Sequence, residues 1–230
     1  MKLVKIALRN LNRQKKRTFL LGGAIAFGML IITMINGFTG SFVENVGQNF
    51  SHLLAGHIFI DGVEKTEEGE PVSVIHDDNV LIETIEEVDI PVKFLTRRSD
   101  FNGTLIFQGE TLSQNVVGAN WDEENFLTDR LVLEEGSFEN MENPQGIIIS
   151  TDVADALNVQ LNERILVRLR TATGQQNVGD FTVAAISYDP GLFGSMSAYA
   201  NLEYVNSLLD LKPGEYMTLG IFLDDFYAID

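Results

Sequence analysis

The side chains able to hold a metal ion are three histidines, His52, His57 and His76, and three acidic groups: Glu67, Glu68 and Glu70, then Asp122 to Glu124, then Asp224 and Asp225. His52 and His57 are five residues apart, which on one helix turns them ~140° from each other, so they cannot chelate together. None of the acidic groups has the D-x-[DN]-x-[DN]-G spacing of a calcium loop. The expectation is solvated acidic faces and isolated surface or packing histidines. Serines lack a G-x-S-x-G setting, and the G-x-x-x-x-G-K-[ST] pattern of a P-loop is absent. With no cysteine in the chain, thiolate nucleophiles, zinc-thiolate sites and disulfides are excluded. No catalytic, cofactor or metal residue is assigned, and an enzyme is not expected.

One stretch suggests contact chemistry instead. In "DPGLFGSMSAY", Asp189 to Tyr199, proline and glycines mark a loop, yet Leu192, Phe193 and Met196 are apolar. Either they tuck under a neighbouring helix as satellite core, or they form an exposed contact for a substrate or partner, a role flexible Met and Phe surfaces suit.

Charge separates two parts of the 230 residues. Residues 1–43 carry seven Lys/Arg and no acid, a net +7, whereas residues 44–230 carry nine Lys/Arg against 33 Asp/Glu, a net −24. So acidic a body repels nucleic acid, because binding needs phosphates neutralised by Lys and Arg. From Thr18 to Val43 no residue is charged. The apolar part to Gly40 makes ~34 Å of helix, enough for a ~30 Å hydrocarbon core and longer than a secretory h-region. Arg9, Arg13, Lys15, Lys16 and Arg17 precede it, which places the N-terminus in the cytoplasm and the acidic body outside. Upstream, Val4, Ala7, Leu8 and Leu11 recur at helical spacing, as in an interfacial helix against membrane lipid. Within the span, Gly22 with Ala26 and Ala24 with Gly28 are small-xxx-small pairs, candidates for close helix packing.

The elements that must carry any site follow from periodicity. Phe42, Val46, Phe50, Leu53 and Leu54 continue the helix as a stalk that stops at Gly56. "HIFID" alternates as a strand, and "GVEKTEEGEPVS" is a loop or hairpin excursion. Asp77 caps a helix over Asn79 to Val88 that buries Val80, Leu81, Ile85 and Val88. "VKFLTRRS", "GTLIFQG" and "TLSQNVVGAN" are expected as three strands divided by "DFNG" and "GE" turns. "WDEENFL" is a short acidic helix and "LVLEEGSFENMENPQG" mostly loop. "GIIIS" is a buried strand, Thr151 to Leu157 a Ser/Thr-capped helix, "RILVRLRT" and "DFTVAAISY" a strand pair, Leu202 to Leu211 a helix and "MTLGIFLDD" a strand. The fold class is α+β. A basic interfacial segment (1–17), a transmembrane helix (18–43) and a stalk (44–56) precede an extracytoplasmic region (57–230) of two subdomains, about 57–120 and 121–230.

The order "ALRNLNRQKKRTFLLGGAIAFG", stalk, "GHIFI", then "GIIISTDVADALNVQLNERILVRLRTATG" and "DFTVAAISYDPG" resembles the permease subunits of ABC transporters that include the lipoprotein-releasing complex and the macrolide exporter MacB. The likeness covers nearly the whole chain and corresponds to the family's N-terminal part, the first transmembrane helix plus the extracytoplasmic core domain. The family's three further transmembrane helices, with the cytoplasmic loop that grips the ATPase, have no counterpart in these 230 residues. The resemblance implies a dimer with a second permease copy or paralogue, in the bacterial inner membrane, driven by a separate cytoplasmic ABC ATPase through the stalk. A single-pass anchored binding or sensor module is the alternative, and an envelope-anchored hydrolase a distant third.

Overall fold

The structure is a computed structural model that describes residues 14–53, 56–65, 69, 71–88, 90–188 and 197–223. The expected interfacial helix upstream of Arg13, Leu54, the acids Glu67, Glu68, Glu70, Asp224 and Asp225, and the loop residues Leu192, Phe193 and Met196 lie outside them. The chain forms two compact units, divided after Asn49.

The first unit holds most of α1, a single helix Lys15–Leu53 of 39 residues. Apolar side chains are exposed on every side of it, among them Phe19, Ile25, Phe27, Leu30, Met34 and Phe38. A helix apolar all round is not an amphipathic surface helix, and by length and composition Lys15–Phe42 is long and apolar enough to cross a membrane. Thr33 Oγ1 donates to the Met29 carbonyl at 2.9 Å, so this hydroxyl is satisfied within the helix.

In the second unit, β1 (Ile58–Asp61) is followed by a small hairpin of β2 (Glu64–Lys65) and β3 (Pro71–Val72), then α2 (Asn79–Glu87). Next come β4 (Val92–Phe107), β5 (Glu110–Ala119), α3 (Asn125–Arg130), β6 (Val132–Gly136) and a 3-10 turn at Phe138–Glu142. The order continues with β7 (Gly146–Ser150), α4 (Thr151–Leu157), β8 (Arg164–Arg170), β9 (Gln176–Tyr188), β10 (Ser197–Asn201), α5 (Leu202–Leu209) and β11 (Thr218–Leu223).

Among the described residues nine strands share one sheet. Six close a ring of pairings, β4 to β5, β10, β7, β9, β8 and back to β4, while β11 and then β1 extend from β4 and β6 extends from β9. The β5/β10 and β7/β9 pairs are parallel. Strands from both sides of residue 120 therefore share the sheet.

The sequence explains most of this locally. "RILVRLR" alternates exposed and buried along β8, whereas "GIIIS" is buried throughout, as a strand covered on both faces must be. Ser150 Oγ accepts from the Val153 amide and caps α4, and Asn201 Oδ1 accepts from the Glu203 and Tyr204 amides and caps α5. Left-handed residues, Asn158 and Asp210, end both helices. The main core packs Leu105, Val116, Ile149, Val167 and Phe181 of the sheet against Leu157 of α4 and Val205 of α5. A smaller core, Ile75, Tyr216 and Leu219, lies with Leu81 and Ile85 of α2.

Three expectations are corrected. "DFNG" is not a turn: Asp100 to Gly103 pair in register with Val117 to Gln114, inside the 16-residue β4. Gly103 is there for space, since a Cβ would come within 2.8 Å of Val167 Cγ1. The true turn is Gln108-Gly109, both at positive φ, the geometry of a two-residue type I′ hairpin. Val80 and Val88 are exposed, 72% and 61%, because only the Leu81 and Ile85 side of α2 meets the sheet. Finally, the stretch from Leu131 to Gly146, expected mostly as loop, contains β6, paired to the end of β9, and the 3-10 turn that buries Met141.

Candidate functional site

The chemistry-bearing side chains of the second unit converge on the first half of β4. Arg97 and Arg98 are neighbours there and so point to opposite faces. Arg98 is 3% exposed; its Nε and Nη2 donate to the two carboxylate oxygens of Glu124 at 2.7 and 3.0 Å, and Glu124 is fully buried. This fork is the geometry guanidinium and carboxylate favour. It corrects the expectation that Asp122 to Glu124 is a solvated face: the turn at Trp121 folds its last carboxylate inward because a buried cation waits for it. Next to Arg98, Ser99 is buried as well, so both faces of β4 are covered at this point.

On the other face Arg97 Nε donates to Asp78 Oδ2 at 2.7 Å and Nη1 to Glu123 Oε2 at 3.3 Å, with the guanidinium 5.8 Å from the Tyr216 ring centre. Tyr216 Oη donates to the same Asp78 oxygen at 2.8 Å. Partial burial alone would raise the Asp78 pKa, but these two donors overcome it and hold the carboxyl below its ordinary value. Burial, then the bond to Asp78, push the Tyr216 phenol well above its usual range.

A third cluster adjoins Tyr216. His76 Nε2 lies 2.9 Å from Glu64 Oε1 and His76 Nδ1 2.6 Å from Glu215 Oε1. Hydrogen bonds to Glu64 and Glu215 raise the imidazole pKa. Glu215 also accepts from the Lys212 amide at 2.7 Å, and that bond together with His76 lowers its pKa against the effect of burial. His76 is thus a paired histidine, not the isolated one expected. His57 is a packing histidine: its Nδ1 accepts from the Leu223 amide at 3.0 Å, its ring meets Phe222 edge-on, and burial followed by Lys93 lowers its pKa.

Together these pairs tie β2, the segment before α2, β4, the Trp121 turn and the Lys212–Tyr216 loop to one another. Each charged group is matched, so the arrangement positions elements and leaves no nucleophile poised over open space. Elsewhere, a groove of about 600 Å³ between β6, α4 and the end of β9 is lined by Glu134, Glu135, Asp152, Asp155 and Tyr188. Among the described residues no group of His, Asp and Glu is arranged to hold a metal ion. Gly22, Ala24, Ala26 and Gly28 all lie on α1, with open space where a Cβ would stand at Gly22 and Gly28.

Sequence reasoning missed Arg97 and Arg98 as the hub. Adjacent arginines in an acidic chain, flanked by strand-forming residues, were the available signal.

No curated protein sequence matches the chain. Solved structures do. The extracellular domain of the noncanonic ABC-type transporter YknZ from Gram-positive bacteria is 14% identical with a TM-score of 0.47, covering 73% of this chain and 84% of that one. The periplasmic region of MacB from Actinobacillus actinomycetemcomitans is 13% identical with a TM-score of 0.44, covering 73% and 74%. The profile of the MacB-like periplasmic core domain matches residues 18–222, from the start of the apolar helix to the last strand. By that match over most of its length, the chain belongs to the family of the MacB-like periplasmic core domain, found in ABC-type transporter permeases.

Proposed function

We propose that the chain is the permease subunit, or its N-terminal half, of an ABC exporter or lipoprotein-releasing complex, in which α1 carries ATPase-driven motion to the extracytoplasmic domain. The observation that carries this is the family match over helix and domain together, residues 18–222. The helix supports it physically. Its 39 residues make ~58 Å, against ~30 Å of hydrocarbon, so it continues about 28 Å beyond a span by its own length. A tether needs no such extension, whereas a rigid rod from the bilayer into a folded domain can bias a two-state element at a distance.

In this reading the basic flank Lys15 to Arg17 keeps the N-terminus in the cytoplasm and residues 44–230 stand outside the bacterial inner membrane. A separate ABC ATPase supplies the motion, and a second permease copy or paralogue packs along one of two opposite small-residue faces, Gly22 with Ala26 or Ala24 with Gly28. Leu192, Phe193 and Met196 are the proposed contacts for substrate or partner.

The test is co-purification in detergent with the ATPase and any separate transmembrane segments encoded beside this chain, followed by ATPase assays with and without it. Association and a changed hydrolysis rate are expected. In a second arm Gln48→Pro, which breaks the stalk helix, should leave association intact and abolish the change in rate. No association at all would overturn the coupling and favour a single-pass anchored binding module.

A further inference from the structure

Arg97, Arg98 and Arg164 are each matched by a carboxylate, that of Asp78, Glu124 and Asp180. Arg168 and Arg170, two residues apart on β8 and both exposed, have none within ion-pair reach among the described residues. Residues 44–230 carry 33 Asp/Glu against nine Lys/Arg, so two neighbouring cations left unmatched are an exception that calls for a reason.

The pairing register shows what surrounds them. Arg168 stands opposite Thr104 on β4, and Arg170 opposite Gln176 on β9. Alternation along the strands turns Asn102, Thr104, Arg168 and Arg170 to one face, away from the core built on Leu105, Val167 and Leu169. Together with Gln176 they line a cavity of about 490 Å³, within the ~300–1,000 Å³ of small-molecule sites. None of these five side chains has a hydrogen-bond partner among the described residues. Neighbouring acids do not fill the gap. Asp180, the one acid of β9, lies opposite Leu166 and is taken up by Arg164. Asp100, the next acid along β4, is not part of the lining.

The lining selects a ligand in two parts. Same-face residues of a strand stand ~6.8 Å apart, close enough for two long guanidinium side chains to converge on one anion. A carboxylate fills a single guanidinium fork, whereas a phosphate ester offers oxygens to two. Amides and a hydroxyl, which both donate and accept, suit a body rich in hydroxyl groups. An apolar body would leave them unpaired. A long polyanion would meet the field of the acidic domain along its length, but a small ester meets only the local positive patch. We propose that Arg168 and Arg170 bind the phosphate of a phosphorylated sugar whose hydroxyls are held by Asn102, Thr104 and Gln176.

The experiment is saturation-transfer NMR on the full chain in phosphatidylcholine nanodiscs, with empty nanodiscs subtracted. The probes are glucose, N-acetylglucosamine and inositol phosphates, their unphosphorylated parents, glucuronate and inorganic phosphate. At least one sugar phosphate should bind with a dissociation constant of about 1 mM or tighter, and tenfold or more tighter than its parent, glucuronate or inorganic phosphate. Arg168→Gln, Arg170→Gln should weaken it at least tenfold, about 1.4 kcal/mol, with an unchanged melting midpoint. Gln176→Ala should weaken the sugar phosphate several-fold and leave inorganic phosphate unaffected. Lys93→Gln, an exposed charge elsewhere on β4, should bind as the wild type does. Two sources present this chemistry, a free sugar phosphate and a lipid headgroup. A tenfold gain for short-chain phosphatidylinositol over inositol phosphate supports the lipid, and equal binding supports the free ester. The proposal is overturned if no sugar phosphate binds, if the double glutamine variant binds equally, or if a parent sugar or glucuronate binds as well. Inorganic phosphate binding as tightly as every ester would show an adventitious ion only and overturn it too.

Discussion

The Arg98–Glu124 pair shows what a single buried carboxylate does. Both ions have lost water, and the bidentate contact is what offsets that loss. Removing one partner leaves an unmatched charge in the interior, so Glu124→Ala should destabilise the domain by about 3–5 kcal/mol. Arg98→Met combined with Glu124→Leu should recover most of it. Trp121, the chain's one tryptophan, sits three residues from Glu124 and packs near Phe138, so its fluorescence in urea reports this unfolding directly. A single mutant as stable as wild type would mean the pair is not closed in solution. His76 makes a different, pH-dependent contribution. Its pKa is raised by Glu64 and Glu215, so the stabilisation is full below the ordinary imidazole value of about 6.5 and is lost as pH rises through the folded value. The melting gap between wild type and His76→Gln should accordingly be widest near pH 6 and close at alkaline pH. A gap that grows with pH would reverse the assignment. The Glu215 carboxyl, lowered in pKa, has the opposite sign and loses its contribution only on acidification below the ordinary glutamate range.

Among the elements, β4 is where sequence and structure diverge most. Its run "DFNG" has the composition of a turn, yet Asp100 to Gly103 are fully paired with Val117 to Gln114. Composition misleads there because the partner is β5, reached only past the turn at Gln108-Gly109, so nothing beside "DFNG" announces the pairing. Where patterning is local, it is readable: β8 by its alternation, α4 and α5 by their Ser150 and Asn201 caps, α1 by its uncharged length. What no local signal carries is the ring closure, in which β5 pairs with β10 some eighty residues later and β4 with β8. The exposed face of α2 is illegible for a similar reason, since four apolar residues are available and only the stripe facing β11 and Tyr216 is used. Gly103 gives this a test. Gly103→Val should cost about 1–3 kcal/mol by overpacking, because its side chain would enter the space of Val167 and Phe101. Combining it with Val167→Ala should restore part of the loss in the same urea experiment. If "DFNG" were a turn, the first substitution would be tolerated and the second would not help it.

For the whole molecule, the proposed function depends on which side of the membrane each unit occupies. The +7 of residues 1–43 and the −24 of the rest argue for one arrangement, since Lys and Arg beside a span are retained in the cytoplasm. The absence of cysteine makes this directly measurable, because any introduced thiol is the only one in the chain. Lys16→Cys marks the start of α1, and Ser113→Cys marks a position on β5. Both residues are exposed, so both variants should fold. In intact cells, with the outer membrane permeabilised if there is one, a membrane-impermeant maleimide should label Ser113→Cys and leave Lys16→Cys untouched until the inner membrane is disrupted. The reverse pattern would place the acidic domain beside the ATPase, and no stalk could then carry cytoplasmic motion outward. Labelling of both before disruption would show α1 to lie along the surface or to have been cleaved. Given the expected pattern, the basic flank lies on the cytoplasmic side and the acidic domain, six of whose strands close a ring of pairings, lies on the other.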